Sequence, residues 1–342
     1  MKQHSKLISL WIVSFGLLFG QYSELPDGNE NTATNTGNWL KIGTSIRANS
    51  MGGSAVANSR GIAGIPDNSA SLIYLKGSEV YFAKTNYLAG ITHNVISYGK
   101  KLSQADYFGL HLFFLDSGPM KVTNIYYPLG TGEDYKVTDF ALRIAYARKI
   151  TEKIGVGVVA NYLRENIYTT TMQSLAFDAG LLYNTGLFGN VLGFNISNLG
   201  PDVQFRGEGL EKTVDDTLSV DNRLSRISEN FSLPVVIRYG LKNDLVGPGS
   251  SFIRMENHRL TLSADGIRST DYLMYGAAGL EYSFNEFAFI RTGYNLGHDT
   301  AKLSAGAGLA FRTSAFALKV DYAFVDYGIL KPVHQLAIGA EF

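Results

Sequence analysis

From about Ser78 to the C-terminus, apolar residues alternate with small or polar ones at a period of two. In 139–147, Phe140, Leu142, Ile144 and Tyr146 share one face, while Asp139, Ala141, Arg143, Ala145 and Ala147 share the other. In 314–324, Phe316, Leu318, Val320, Tyr322 and Phe324 oppose Ala317, Lys319, Asp321 and Ala323. Such alternation is the signature of a strand with two unlike faces. The spacing predicts strands over 78–87, 92–101, 105–116, 136–149, 153–166, 172–184, 189–199, 232–242, 258–266, 271–283, 286–296, 301–312, 315–326 and 333–342. The connections between them read as strictly alternating short and long, except that 242–257 is long on the side of the short turns.

An even strand count, alternating loop lengths and a long apolar face rich in Tyr and Phe predict an antiparallel, fourteen-stranded transmembrane β-barrel over 78–342. A closed barrel is the only sheet that satisfies every backbone polar group in lipid. A soluble sandwich would present its polar face outward. Here the second face is Gly, Ala, Ser and scattered charge, which suits a crowded or wet lumen.

The N-terminus reads as an address. Lys2 and Lys6 flank the apolar run Leu7 to Gly20, the layout of a secretory signal peptide over 1–20. Residues 21–38 are polar and aperiodic and read as a flexible linker. Residues 39–77 are small and mildly apolar, too irregular for spanning strands, and are expected to form a luminal hatch that buries Leu40, Ile42, Met51, Val56, Ile62 and Ile65. The chain ends on an amphipathic strand with Phe342 on its apolar side. Phe342 is therefore expected to serve as the signal that outer-membrane assembly machinery reads.

Composition narrows the function. Lys and Arg number 30 and Asp and Glu 30, so no basic excess exists to neutralise nucleic-acid phosphates. Cysteine is absent, which excludes thiolate metal sites and Cys nucleophiles. The six His are scattered, with no H-E-x-x-H, no G-x-S-x-G and no P-loop, so no enzyme, metal or cofactor is predicted. Parity puts Asp139, Arg143, Asp178, Arg238, Arg259, Asp265, Glu281, Arg291, Lys319 and Asp321 on the luminal face. Both signs are present in similar number, which favours an ion-pair network fixing the hatch over an ion-selective pore. The long stretch 200–231 is a docking surface or a solvated loop.

Several ordered segments resemble the PorV/PorQ family of outer-membrane proteins, which are similar to the FadL fatty acid transporters. They are Leu40-Lys41-Ile42-Gly43, Ser50-Met51-Gly52-Gly53-Ser54-Ala55, Asp67-Asn68-Ser69-Ala70-Ser71-Leu72-Ile73-Tyr74, Ala176-Phe177-Asp178-Ala179-Gly180-Leu181, Ile196-Ser197-Asn198-Leu199-Gly200-Pro201 and Glu281-Tyr282-Ser283-Phe284-Asn285. The W-N-P-A-G segment usual in that family is missing, since Ile73-Tyr74 runs straight into Leu75-Lys76-Gly77. The resemblance implies a non-enzymatic barrel in the bacterial outer membrane. Its partners would be membrane lipid, the assembly machinery, and type IX secretion components or cargo proteins. The alternative it implies is passive, FadL-like transport of hydrophobic small molecules.

Overall fold

The structure is a computed structural model that describes residues 34–213, 223–225 and 228–342. The signal segment 1–20 and residues 21–33 of the linker stretch lie outside the described residues.

Fourteen strands form one closed antiparallel sheet: β1 (Ser78–Asn86), β2 (Thr92–Lys101), β3 (Asp106–Asp116), β4 (Val137–Lys149), β5 (Ile154–Ile167), β6 (Thr170–Asn184), β7 (Val191–Leu199), β8 (Val236–Val246), β9 (His258–Ser269), β10 (Tyr272–Phe284), β11 (Ala288–Leu296), β12 (Leu303–Arg312), β13 (Ala317–Val325) and β14 (Val333–Glu341). Each strand pairs with its sequence neighbours. The wall closes where β1 meets β14, in a register running from Glu79 opposite Glu341 to Asn86 opposite His334. Ser78 and Phe342 finish that seam by exchanging backbone hydrogen bonds of 2.7 and 2.9 Å.

The two faces separate as the period demands. On β4, Ala141, Arg143, Ala145 and Ala147 are buried, whereas Ile144 is 47% exposed on the outer face. Leu175, Ile290 and Leu336 are likewise exposed outward on β6, β11 and β14. A continuous apolar exterior on a closed sheet is the form that lipid requires. The architecture is that of an outer-membrane β-barrel.

Two expectations about the connections are corrected. Loop lengths do not alternate strictly, because β5–β6 and β9–β10 turn through 168–169 and 270–271 at the end where the long loops 117–136 and 200–235 gather. Tyr168 makes the first of these turns with a φ of 54°. The eighth strand is Val236–Val246 rather than 232–242, so its long connection is 247–257, at the end shared with Ser78 and Phe342. Residues 232–235 instead close over β7, where Asn198 Nδ2 donates to the Pro234 carbonyl at 2.9 Å.

Residues 39–73 are almost wholly buried against the inner face of the barrel. The described end of the 21–38 stretch is not a free linker: Asn35 bridges Ser232, and the Thr36 N–H donates to the Ser232 carbonyl at 3.2 Å. Beyond it come one helical turn, α1 (Ile46–Asn49), and short 3-10 turns at Asn38–Lys41, Ile62–Gly64 and Ser69–Tyr74. Ser45 caps α1 by accepting from the Ala48 N–H. Asn68 caps the last turn by accepting from Ala70. Small residues dominate because this segment runs against the wall at backbone distance. A Cβ on Gly157 would lie 2.2 Å from the Ser69 carbonyl oxygen, and one on Gly293 would lie 2.0 Å from the Met51 carbonyl carbon.

Candidate functional site in the barrel lumen

The segment meets the β2–β5 wall through aliphatic side chains. Ile62 sits over Gly99, Ile65 and Leu72 over Gly109, and Ile73 over Gly155. Ile62, Ile65 and Leu72 are fully buried, each worth roughly 1.5–3 kcal/mol of apolar burial.

The opposite wall meets it through charge. Arg47, on α1, donates to both carboxylate oxygens of Glu281 at 2.8 and 3.0 Å. Glu281 is completely buried and also accepts from Arg259 at 3.0 Å and Arg291 at 2.7 Å. Arg291 continues to Asp321 at 2.5 Å, and Arg259 to Glu286 at 2.6 Å. One carboxylate thus holds three guanidiniums. A buried charge tolerates this only when partners and hydrogen bonds surround it. Nearby, Asp265 Oδ2 accepts from the consecutive N–H groups of Ala55 and Val56 at 2.7 and 2.8 Å.

All ten sequence-predicted charges lie on the inner face, but they do not form one network. Arg259, Glu281, Arg291 and Asp321 form the cluster just described. Lys319 pairs with Glu341 at its margin. Asp265 anchors backbone alone. The remaining four gather on β4, β6 and β8. Arg143 contacts His111 Nδ1 at 3.2 Å, and Asp178 accepts from Asn161 at 2.8 Å and from the Asn198 N–H at 2.7 Å. Arg238 faces Asp67 at 3.7 Å. Asp139 is 4% exposed and one of its oxygens has no hydrogen-bond partner.

Sequence reasoning missed the residues the inner segment contributes, namely Lys41, Arg47, Arg60 and Asp67. They sit on an aperiodic stretch, where no parity argument reaches. It also missed the aromatic groups at the long-loop end.

Two regions of open space flank the segment. At the end near Ser78 and Phe342, a cavity of about 120 Å³ is lined by Arg47, Arg60, Glu79, Glu281, Arg291 and Lys319. Arg60 there lies over the Tyr74 ring, 5.7 Å from its centroid. At the long-loop end, cavities of about 110 and 180 Å³ share Lys41, Arg238, Ile267, Tyr275 and His298. Tyr275 and His298 meet edge to face at 5.0 Å, and Tyr272 lies 5.5 Å from the same imidazole. Burial lowers the His298 pKa below its ordinary value, so its ring is neutral near pH 7. Its Nδ1 accepts from the backbone of Thr300 and Ala301.

No family model matches the chain, and no curated protein matches it. Solved structures do. The monoaromatic hydrocarbon channel CymD aligns with a TM-score of 0.55 at 14% identity, covering 89% of this chain and 97% of its own. The toluene transporter TbuX of Ralstonia pickettii gives 0.55 at 11% identity over 89% and 98%. A FadL homologue from Pseudomonas aeruginosa gives 0.51 at 12% identity over 84% and 95%. The fold is therefore a FadL-like barrel, shared at identities that carry the architecture alone.

Proposed function

We propose that this chain is a non-enzymatic, passive channel for small hydrophobic molecules across the bacterial outer membrane, with its long loops facing outward. The observation that carries the reading is the pair of adjoining cavities at the long-loop end, walled by Tyr272, Tyr275, His298, Val236 and Ile267. These apolar and aromatic side chains share the cavities with the polar groups Lys41, Asp67, Arg238 and Asn295, and small-molecule pockets combine the two kinds of lining. Similar barrels whose names specify hydrocarbon transport support it. In this reading residues 39–77 are a hatch that closes the lumen. The test is uptake of radiolabelled toluene by intact cells, whose lipopolysaccharide leaflet slows its free entry. Cells that carry the protein should take it up faster than cells that lack it, and equal rates would overturn the reading.

A second reading, an adaptor for type IX secretion, rests on the PorV/PorQ-like segments and on one surface feature. Ile125, Tyr126, Tyr127 and Leu129 stand 87, 79, 61 and 88% exposed at the tip of loop 117–136. An apolar cluster of this kind suits a protein partner. If this second reading holds, removing 122–130 abolishes cargo display while the barrel still assembles.

A further inference from the structure

The hydrocarbon reading leaves part of the long-loop cavities unexplained. Their aromatic lining suits an aromatic guest. Tyr272 and Tyr275 meet nearly perpendicular at 6.1 Å, and both flank His298. Tyr275 also packs on Val236 and Ile267, which holds it in place. A plain hydrocarbon would be served by these groups alone.

The adjoining cavity of about 110 Å³, which shares Arg238, Tyr275 and His298 with the one that Tyr272 lines, is also lined by Asp67 and Asn295. Asp67, Arg238 and Asn295 each carry a buried side-chain atom without a hydrogen-bond partner: Asp67 Oδ2, Arg238 Nε and Asn295 Oδ1. Asp67 and Asn295 are 5 and 9% exposed. Arg238 and Asp67 approach to 3.7 Å, close enough to attract but too far to hydrogen-bond. A half-satisfied buried pair is costly, because desolvation is incurred without the hydrogen bonds that offset it. A binding site built for a polar guest has this form before the guest arrives.

Charge selects among polar guests. A carboxylate would be repelled by Asp67, and the nearby Lys41 is already held by Asp271 at 2.5 Å. An ammonium would be repelled by Arg238 and Lys41. A neutral hydroxyl both donates and accepts, so one such group can bridge a guanidinium and a carboxyl. Burial pushes the Asp67 carboxyl up to about 6, still below neutral pH, so it accepts in that bridge while Arg238 donates.

Resting on the channel reading above, we infer that the long-loop cavity is a binding site for small hydroxylated aromatics, with the ring among Tyr272, Tyr275 and His298 and the hydroxyl between Arg238 and Asp67. The preference comes from the analogue that lacks the hydroxyl leaving this polar pair unserved.

The test compares p-cresol with p-xylene, which differ by a hydroxyl for a methyl, by equilibrium dialysis on the full chain in lipid nanodiscs with empty nanodiscs subtracted. The expected result is p-cresol bound at least about tenfold more tightly. In Arg238→Met the preference should fall to near unity while p-xylene binding persists. Equal affinity of the native protein for both probes would overturn the inference and leave the channel reading standing. Binding of neither probe would overturn the site altogether, and toluene uptake would then decide the channel reading by itself. Retained preference in Arg238→Met would overturn the assignment of the hydroxyl. Should that variant not fold, His298→Cys gives the chain a single thiol. p-Cresol should then slow its reaction with a water-soluble maleimide at concentrations where p-xylene does not, and equal protection would overturn the inference.

Discussion

The two walls that grip residues 39–77 do so by different physics. On β2–β5, Ile62, Ile65, Leu72 and Ile73 drop into pits left by glycines. On β9–β11, Arg47 meets Glu281, and Asp265 collects the N–H groups of Ala55 and Val56. Apolar contact is non-directional and survives small shifts. A bidentate guanidinium–carboxylate pair does not, because its geometry is fixed by two parallel hydrogen bonds. The aliphatic wall therefore supplies adhesion, and the charged wall supplies register.

The largest expected effect breaks the charged wall at its centre. Glu281→Gln leaves Arg47, Arg259 and Arg291 facing one another without their shared carboxylate. Removing one partner of a buried pair costs about 3–5 kcal/mol. The expected outcome is a lower urea midpoint, or loss of the heat-modifiable folded band. Unchanged unfolding would show that the cluster is not buried in the membrane-embedded protein.

Next comes the outer face, against which both walls must be judged. Ile144→Arg puts a charge into lipid at a cost of about 2–4 kcal/mol near the midplane, read as impaired assembly or lowered stability. The neighbouring Arg143 is 4% exposed, so Cys at 143 should resist a water-soluble maleimide in the intact protein and react once residues 39–77 are deleted. Cys at 144 should react only with a lipid-soluble reagent in both backgrounds.

A smaller effect is expected on the aliphatic wall. A Cβ on Gly109 would lie 3.0 Å from Ile65 Cδ1, the end of a flexible side chain. Gly109→Ala should cost about 1–3 kcal/mol of overpacking at most. Its readout is faster proteolysis of residues 39–77 with the barrel band unchanged. A loss as large as that of Glu281→Gln would remove the distinction between the walls.

The smallest effect is a control outside both. Lys136 and Asp116 pair at 3.2 Å with the Lys136 side chain 52% exposed. Lys136→Ala should shift stability by no more than about 1 kcal/mol in the same urea titration.

The barrel was legible in the sequence because period two is a property of single strands. β2 begins and ends where the alternation does. β8 was misplaced because Leu233, Pro234 and Val235 continue an apolar run before the strand starts, and that run serves the cover over β7 instead. Parity also told which charges face inward, since facing is local. It could not tell that Glu281 would take three arginines while Asp139 kept an unpartnered oxygen. Partners are set by the path of residues 39–77, and that path follows no period. Tyr272, Tyr275 and His298 were invisible for a related reason: they come together only when the 270–271 turn and the 297–302 loop lie side by side.

The seam between β1 and β14 has a consequence for the order of events. Residues 39–77 leave the ribosome before any strand, yet their contacts are spread around the whole ring. Ser69 meets Asn195, Gly52 meets Ser304, and Asn49 meets Gln335, 286 positions later. Their complete set of partners exists only once the final hairpin joins the first strand, so residues 39–77 reach their full contacts after the ring has closed.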